Sequence, residues 1–309
     1  MRKCEVVKPA LAASRALRVI DFMSVHPGQA MSMTEISHAL KINPASTLAV
    51  MASLTELGYV VRHPAHKTYT LGAALVVVGH SAMIQNPSLE AAREELRLVS
   101  KEIHAQCAAS VLMGKFMVAV VTEGRAERSG TWTRVGERVP FSAPYGAPFA
   151  AFGDEALRRQ WMERKGGTST EAARVAALQD ALAEVRERGY AVWPESETRE
   201  ALARALWSLS DNPSDEDLRL RVDRLLDELS DGFVVMNVQP KEVLDIAVVS
   251  VPVFSPMGGV SMVLTAFGFA NLLAGAAVGE VGARLRACAE TIATRASVLS
   301  AVSPATDPS

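Results

Sequence analysis

The sequence predicts an α+β protein of two modules, a small basic module followed by a larger acidic one. The first 85 residues show three helical segments and a short hairpin pattern, whereas strands and helices alternate through the rest. Residues 1–85 carry eight Lys/Arg against four Asp/Glu, and residues 86–309 carry 24 against 30. A chain of 309 residues fits two domains of roughly 150 residues each.

Composition excludes several protein classes. Hydrophobic residues make up 49% and charged residues 21%, so we expect a globular chain rather than a disordered one. The three cysteines, Cys4, Cys107 and Cys288, are far apart and form no CxxC pair. We therefore expect neither a disulfide framework nor a cysteine zinc site, and we assign the chain to the cytoplasm. Met1–Pro9 is basic but precedes no apolar stretch, so no secretory signal is expected.

One uncharged stretch is long enough to be mistaken for a membrane span. No charged residue occurs from Ile246 to Gly279, which exceeds the ~20 residues that a spanning helix needs. However, the turn residues Ser255–Gly259 interrupt it, and the flanks are rich in Val, Phe and Thr. This pattern predicts two hairpin strands buried on both faces, and we expect no membrane partner.

The first module has the outline of a winged helix-turn-helix, in which a basic hairpin follows three helices. Ser14 is the expected N-cap of the first helix, and Gly58 suits the end of the third. For the start of the second helix, Ser32 or Thr34 with the nearby Glu35 is suitable. The expected helices are 14–26, 33–40 and 44–57, and the expected strands are 59–61 and 69–71, on either side of the basic segment 62–67.

The second module is expected to be a sheet flanked by helices. An apolar helical connector covers about 71–85, and Pro87 is placed at the first turn of the next helix. Expected strands are 109–113, 116–123, one or two in 132–142, 190–193, 233–238, 246–254 and 260–269. Expected helices are 88–103, about 154–164, 170–188, 198–209, 214–229 and 271–302.

The search for catalytic motifs fails. The chain has no GxG, HExxH or GxSxG, and no histidine follows His104. Acidic pairs such as Asp227-Glu228 lie on a helix with an apolar opposite face, which favours a solvated surface. The arginines at 125, 128, 134 and 138 favour rim salt bridges over an acid-binding site. We therefore predict no catalytic residue, no cofactor and no metal, and the chain is not expected to be an enzyme.

The helix-turn-helix geometry predicts which residues meet DNA. The start of the recognition helix approaches the base edges, which points to Ser46 and Thr47. The hairpin wing offers phosphate or minor-groove contacts. Two arginines at the start of the first helix are further candidates. The complete set of expected DNA-binding residues is Arg15, Arg18, Ser46, Thr47, Arg62, His63 and Lys67.

Four segments of the first module carry a family resemblance. They resemble the DNA-binding half of the IclR-type transcriptional regulators. The four segments are Arg15-Ala16-Leu17-Arg18-Val19-Ile20, Met33-Thr34-Glu35-Ile36, Leu54–Val60 and Tyr69-Thr70-Leu71-Gly72. Four later segments, Gly136–Pro140, Pro144–Ala147, Arg188–Val192 and Val251–Phe254, resemble the effector half of that family more loosely. The resemblance extends over roughly residues 14–300.

This resemblance implies a domain organisation and an effector site. It implies a winged helix-turn-helix over 1–72, a helical linker over 73–87, and a profilin- or GAF-like effector-binding domain over 88–309. Family members hold small carboxylates with a small-residue turn and polar strand side chains. The corresponding positions here are Tyr145, Gly146, Ala147, Trp193, Val248, Thr265 and Phe267. Since Trp193, Val248 and Phe267 replace polar groups, the site should prefer an apolar or aromatic acid; alternatively, these three are simply core residues.

Three departures from the family pattern affect the DNA-binding prediction. Lys41 stands at a turn that usually carries Gly, where a left-handed conformation costs a non-Gly residue ~1 kcal/mol. The recognition helix lacks the family's basic residues, having Pro44-Ala45-Ser46 and Ala49 instead. The stretch 198–229 is longer than the usual connection and is interpreted as an inserted helical pair.

The leading hypothesis is a ligand-responsive regulator that binds operator DNA as a dimer or a dimer of dimers. Two alternatives stay open: a cytosolic enzyme with an accessory helix-turn-helix, and a regulator that acts through protein contacts without specific DNA binding. The missing nucleophile motifs count against the first alternative, and the neutral recognition helix is the support for the second.

Overall fold

The computed structural model describes residues 10–26, 28–126, 133–163, 171–231 and 238–302. Expectations for Met1–Pro9, Pro27, Arg128 and Trp132, and for most of the strand 233–238, lie outside these residues. The chain divides into two compact units, Met1–Ala82 with Trp207–Arg219, and Met83–Leu206 with Leu220–Ser309.

The first unit is built from three helices and a three-stranded sheet of order β1-β3-β2. Its elements are α1 (Leu11–Ser24), β1 (Met31–Ser32), α2 (Met33–Leu40), α3 (Pro44–Glu56), β2 (Val60–Arg62) and β3 (Thr68–Leu71). The helices close on a core that includes Val19, Ile36 and Met51. The winged helix-turn-helix prediction is confirmed for this unit.

Local side-chain chemistry explains where α2 and α3 start. The Ser32 hydroxyl accepts a hydrogen bond from the Glu35 N–H at 3.2 Å, and Glu35 accepts one from the Ser32 N–H at 2.7 Å. This reciprocal pair is a capping box, and it selects Ser32 rather than Thr34 as the N-cap. Asn43 caps α3 by accepting from the Ser46 N–H at 2.8 Å, and Pro44 occupies the first helical position.

The expected N-cap of α1 is wrong. The helix starts at Leu11 with Ala10 as its N-cap, and the Ser14 N–H already donates to the Ala10 carbonyl. Leucine and alanine have high helix propensity, so the segment from Leu11 extends the helix one turn before the serine.

A helix without buried residues follows the wing. In α4 (Ala74–Gln85), the solvent-exposed fraction is 72% for Val76, 67% for Val77 and 67% for Ile84. The sequence places a helical connector here, and the structure starts it three residues later than expected.

The second unit is an α+β layered fold. Its elements are α5 (Pro87–Glu102), β4 (Gln106–Met113), β5 (Phe116–Glu123), β6 (Arg138–Pro140), α6 (Ala147–Phe152), α7 (Glu155–Met162), α8 (Glu171–Arg188), β7 (Ala191–Pro194), α9 (Glu197–Asp211), α10 (Glu216–Asp231), β8 (Val243–Leu244), β9 (Ile246–Phe254), β10 (Val260–Phe267), β11 (Leu273–Ala274) and α11 (Gly275–Val302). The end of α9 and the start of α10 are counted with the first unit.

A six-stranded antiparallel sheet of order β6-β5-β4-β10-β9-β7 separates two apolar cores. One core joins the sheet to α5 and α11, and the other joins it to α6, α7 and α8. Because β9 is buried along its length up to Phe254, the predicted doubly covered hairpin is confirmed. No helix among the described residues is both long and apolar enough to cross a membrane.

Two details of the second unit differ from expectation. The last helix starts at Gly275 rather than Asn271, because Leu273 and Ala274 pair with Leu244 and Val243 as a small sheet. The short helix α6 was not expected from the sequence. On α10, Glu216, Asp217 and Glu228 are exposed opposite the buried Val222 and Leu226, as the solvated-face interpretation predicts, whereas Asp227 is half-buried.

The two described cysteines should be inert until the protein unfolds. Cys107 and Cys288 are both fully buried in the core shared by α5 and α11, and burial raises the pKa of each thiol to about 12. Because the folded pKa lies above the reference value of 9.0, these thiols favour folding below pH 9, and that contribution is lost as pH rises toward 12.

In a Cys4→Ser background, iodoacetamide at pH 8 should label neither thiol in buffer and both in urea. Rapid labelling of the native protein would contradict the burial.

Candidate DNA-binding surface and effector site

The first two turns of the recognition helix α3 present an uncharged surface. Pro44, Ala45, Leu48 and Ala49 are exposed on it, while Thr47 is fully buried. The Thr47 hydroxyl donates to the Asn43 carbonyl at 3.1 Å. The structure therefore leaves Ser46, which is half-buried, as the hydroxyl nearest the exposed start of α3.

The two arginines of α1 support this surface from within the unit. Arg15 donates through Nη1 to the Ser46 hydroxyl at 3.0 Å, and Arg18 donates through Nη2 to the Leu40 carbonyl at 3.1 Å. Arg15 thus brings a positive charge to the start of α3, although the helix has no basic residue of its own. The sequence placed both arginines among DNA contacts without indicating these internal bonds.

The predicted basic residues of the wing, the hairpin formed by β2 and β3, lie at its exposed tip. Arg62, His63 and Lys67 are all exposed. The His63 N–H donates to the Thr68 carbonyl at 2.7 Å, and Lys67 adopts a left-handed conformation with φ 55°. Neither Arg62 nor Lys67 forms an ion pair with any residue that the structure describes. The wing therefore has cationic groups free for phosphate.

The helix-turn-helix turn has the expected left-handed residue. Lys41 has φ 48° and ψ 44°, and its N–H donates to the His38 carbonyl. The segment Trp207–Arg219 reaches this unit at two places: Glu216 lies 3.6 Å from the Lys41 ammonium, and Asp211 lies 3.0 Å from His26 Nε2.

The predicted effector residues come together on one face of the six-stranded sheet. Strand register places Trp193 beside Val248 and Val248 beside Phe267, so the three form a row across β7, β9 and β10. They are 7%, 6% and 8% exposed and belong to the core that includes α6. Thr265 lies in the neighbouring row and stays partly exposed, although the residues before and after it are buried.

A buried serine belongs to the row of Thr265. Ser250 pairs with Thr265 across β9 and β10, so both side chains lie on the same face of the sheet. Ser250 is 2% exposed, and its hydroxyl has no hydrogen-bond partner among the described residues. Burying an unpaired hydroxyl costs about 1–3 kcal/mol. Ser250 is not among the residues predicted from the sequence, because a serine inside an apolar strand gives no signal of its own.

The small-residue turn is tightly packed. Gly146 has φ 79° and precedes α6, and a Cβ there would lie 2.7 Å from the Met117 sulfur. Ala147 is fully buried. The Trp161 indole donates to the Tyr145 carbonyl at 2.6 Å, and the Tyr145 ring meets Trp193 edge-on at 5.4 Å between centroids.

A buried ion pair joins Glu195, just after β7, to Arg199 in α9, and neither residue is among those predicted from the sequence. Arg199, 7% exposed, donates to both Glu195 oxygens at 2.6 Å. Burial raises the pKa of Tyr145 to about 12; the Arg199 charge opposes that rise, and Glu195 and Glu137 add to it. Burial also raises the pKa of the Glu137 carboxyl. The Glu-x-x-x-Arg spacing at the start of α9 was the available sequence signal.

One groove of about 560 Å³ lies elsewhere, between α7 and α8. Arg158, Arg159 and Arg186 line it with Glu155, and none of the predicted effector residues does. In the described ranges, no group of three or more His, Cys, Asp or Glu side chains is placed to hold a metal ion.

Comparisons with known proteins agree with this architecture. Residues 12–64 match the family model of the IclR helix-turn-helix domain. The HTH-type transcriptional regulator XynR of Escherichia coli K12 is 26% identical over 185 residues, covering 59% of this chain and 73% of XynR.

Solved structures share the fold along nearly the whole chain. An IclR transcriptional regulator from Alicyclobacillus acidocaldarius is 20% identical, with a TM-score of 0.65 and coverage of 94% of this chain and 100% of its own. An IclR homologue from Microbacterium hydrocarbonoxydans, complexed with 4-hydroxybenzoate, is 17% identical, with a TM-score of 0.64. The match covers 93% of this chain and 99% of the homologue. Residues 12–64 thus match an IclR helix-turn-helix domain, and the similarity to XynR together with the shared fold supports an IclR-type transcriptional regulator.

Proposed function

We propose that the protein binds operator DNA as a dimer or a dimer of dimers in the cytoplasm, and that an apolar or aromatic acid controls this binding. In this proposal the DNA-binding domain covers 1–72, the linker 73–87 and the effector domain 88–309, and the protein catalyses no reaction. The observation that carries the proposal is the exposed cationic wing that follows the recognition helix α3 in a winged helix-turn-helix unit.

The proposed DNA contacts follow from exposure. Arg62, His63 and Lys67 contact phosphates or the minor groove, Ser46 meets bases, and Arg15 and Arg18 position the start of α3 and add positive charge. Thr47 is not carried into this contact set, because its side chain is buried in the domain core. With a neutral recognition helix, phosphate contacts from the wing supply most of the affinity.

Replacing the wing cations should weaken DNA binding without changing its sequence preference. Arg62→Ala and Lys67→Ala should each lower affinity for operator and random DNA alike, and reduce the salt slope by about one unit per lost phosphate contact. Fluorescence anisotropy with a promoter fragment across a salt series measures both quantities. Lys101→Ala, on α5, is the control and should change neither. Unchanged affinity and slope in both wing variants would remove the wing from the interface.

The exposed apolar face of α4 supports self-association. Val76, Val77 and Ile84 are more than half exposed, and α4 buries no residue within the chain. Exposed apolar surfaces of this kind mark partner interfaces, and a two-fold dimer matches a palindromic operator. A second copy of the chain is the proposed occupant.

Charging this face should dissociate the assembly. We expect wild-type protein at micromolar concentration to be a dimer or larger by light scattering, and Val77→Glu to shift it toward monomer because a carboxylate would be buried at the interface. A Gln85→Glu variant at the end of α4 adds the same charge outside the apolar face and serves as the control. A monomeric wild-type mass would overturn the proposal.

The proposed effector site uses the sheet face that carries Trp193, Val248 and Phe267. A two- or three-carbon acid there would lose water without regaining enough hydrogen bonds, at a cost of ~2–7 kcal/mol. An aromatic body would instead bury apolar area at roughly 25 cal/mol per Å². Thr265 supplies a partly exposed hydroxyl. The bound 4-hydroxybenzoate of the Microbacterium homologue supports the same ligand class.

Calorimetry should separate these ligand classes. We expect aromatic acids to bind wild-type protein, whereas pyruvate and glyoxylate do not. Trp193→Ala should lower aromatic-acid affinity at least tenfold, because the ring that faces Tyr145 is lost. Circular dichroism checks that the variant folds. Tight binding of pyruvate or glyoxylate would place a different chemistry in the site.

A further inference from the structure

The packed small-residue turn leaves little access for an acidic head group. Gly146 lies against Met117 and Phe141, with the nearest ring atom 2.8 Å from a Cβ built on the glycine. Ala147, the next residue, has no exposed surface. An anion that approached these backbone N–H groups would have to displace packed side chains, so another group is needed to hold it.

Arg199 has hydrogen-bonding capacity that its own chain does not use. A guanidinium has five N–H groups. Its Nε and Nη2 donate to Glu195, and its Nη1 has no hydrogen-bond partner among the described residues. The side chain is nevertheless 9% exposed, as is that of Glu195. An unused amino group on a buried cation is suited to a second anion.

The position of Arg199 matches the polar end of the proposed site. Glu195 follows Trp193 by two residues, just after β7 ends, and Arg199 lies one helical turn further along in α9. The charges of both residues act on the phenol of Tyr145, whose ring packs on Trp193. An aromatic ligand on the row of Trp193, Val248 and Phe267 would therefore have this guanidinium near one end.

Stability alone does not account for a buried pair of this kind. The desolvation penalty of two buried charges often exceeds their attraction, and apolar replacements of such pairs are frequently neutral or stabilising. The pair lies at the N-terminus of α9. Ser196 already caps this helix, because its hydroxyl accepts a hydrogen bond from the Arg199 backbone N–H at 3.2 Å. Folding of α9 thus has its own capping group.

We infer that Arg199 is the receptor for the acidic head group of the effector, and that Glu195 is its counter-ion when no ligand is bound. The inference rests on the effector site proposed above. Nη1 donates to the ligand carboxylate while Glu195 keeps its two bonds, so the ligand class is a monocarboxylic acid with an apolar or aromatic body. Glu195 repels the incoming anion and thereby limits its affinity.

Opposite effects of two variants test this arrangement. By calorimetry on the full chain, wild-type protein should bind benzoate and 4-hydroxybenzoate at least tenfold more tightly than benzamide and 4-hydroxybenzamide. Glu195→Gln should tighten acid binding about tenfold, because the competing carboxylate is gone. The double variant Glu195→Gln/Arg199→Gln should lose the preference for acids and keep its affinity for the amides. It removes both charges, so no unpaired charge is left buried.

The chain offers a matched control. Glu155 and Arg159 have the same spacing on α7 but form an exposed pair at 3.1 Å, so Glu155→Gln/Arg159→Gln should leave both ligand series unchanged. If acids and amides bind wild-type protein equally, or if the double variant retains the acid preference, Arg199 is not the receptor and the apolar site stands. If neither series binds wild-type protein, the proposed effector site fails together with the inference.

Discussion

The register between β9 and β10 is the constraint on which both the core and the proposed effector site depend. Side chains alternate between the two faces of a strand, so a slip of one residue would exchange the two cores. In the observed register, Val249 and Val251 face the core of α5 and α11, while Val248 and Ser250 face the core of α6. The turn over Ser255–Gly259 fixes this register, since Ser255 and Gly259 are hydrogen-bonded across it and Gly258 and Gly259 have positive φ.

The same register explains what the sequence could and could not predict. Short-range chemistry was sufficient for the DNA-binding domain: the capping box of Ser32 and Glu35 and the proline at the start of α3 mark helix starts without any tertiary information. Pairing across strands is not visible in one sequence. The match between Ser250 and Thr265 depends on a hairpin register, so the buried hydroxyl of Ser250 appeared only with the structure.

Errors at helix ends have local physical causes. Ser14 was expected to cap α1, but a run of strong helix formers lies before it and extends the helix to Leu11. Near α11 the opposite happened: β-pairing of Leu273 with Leu244 held the chain extended up to Gly275. At Gly275 a Cβ would lie 2.0 Å from the Gln239 carbonyl oxygen, so the helix starts where only glycine allows the close approach.

The turn before the recognition helix shows how the domain tolerates a residue that the family pattern does not favour. Lys41 in a left-handed conformation costs about 1–2 kcal/mol. Its ion pair with Glu216 is exposed on both sides, and such pairs contribute only about 0–1 kcal/mol. The main compensation is therefore the backbone: Lys41 donates to His38, and Ile42 donates to Ser37 at 3.1 Å while its carbonyl accepts from the Ser37 hydroxyl at 2.7 Å. At about 0.5–1.5 kcal/mol each, these three bonds together are large enough to offset a strain of this size. A lysine thus replaces glycine without loss of the turn, and it places a cation, paired with Glu216, three residues before a helix that has no basic residue of its own.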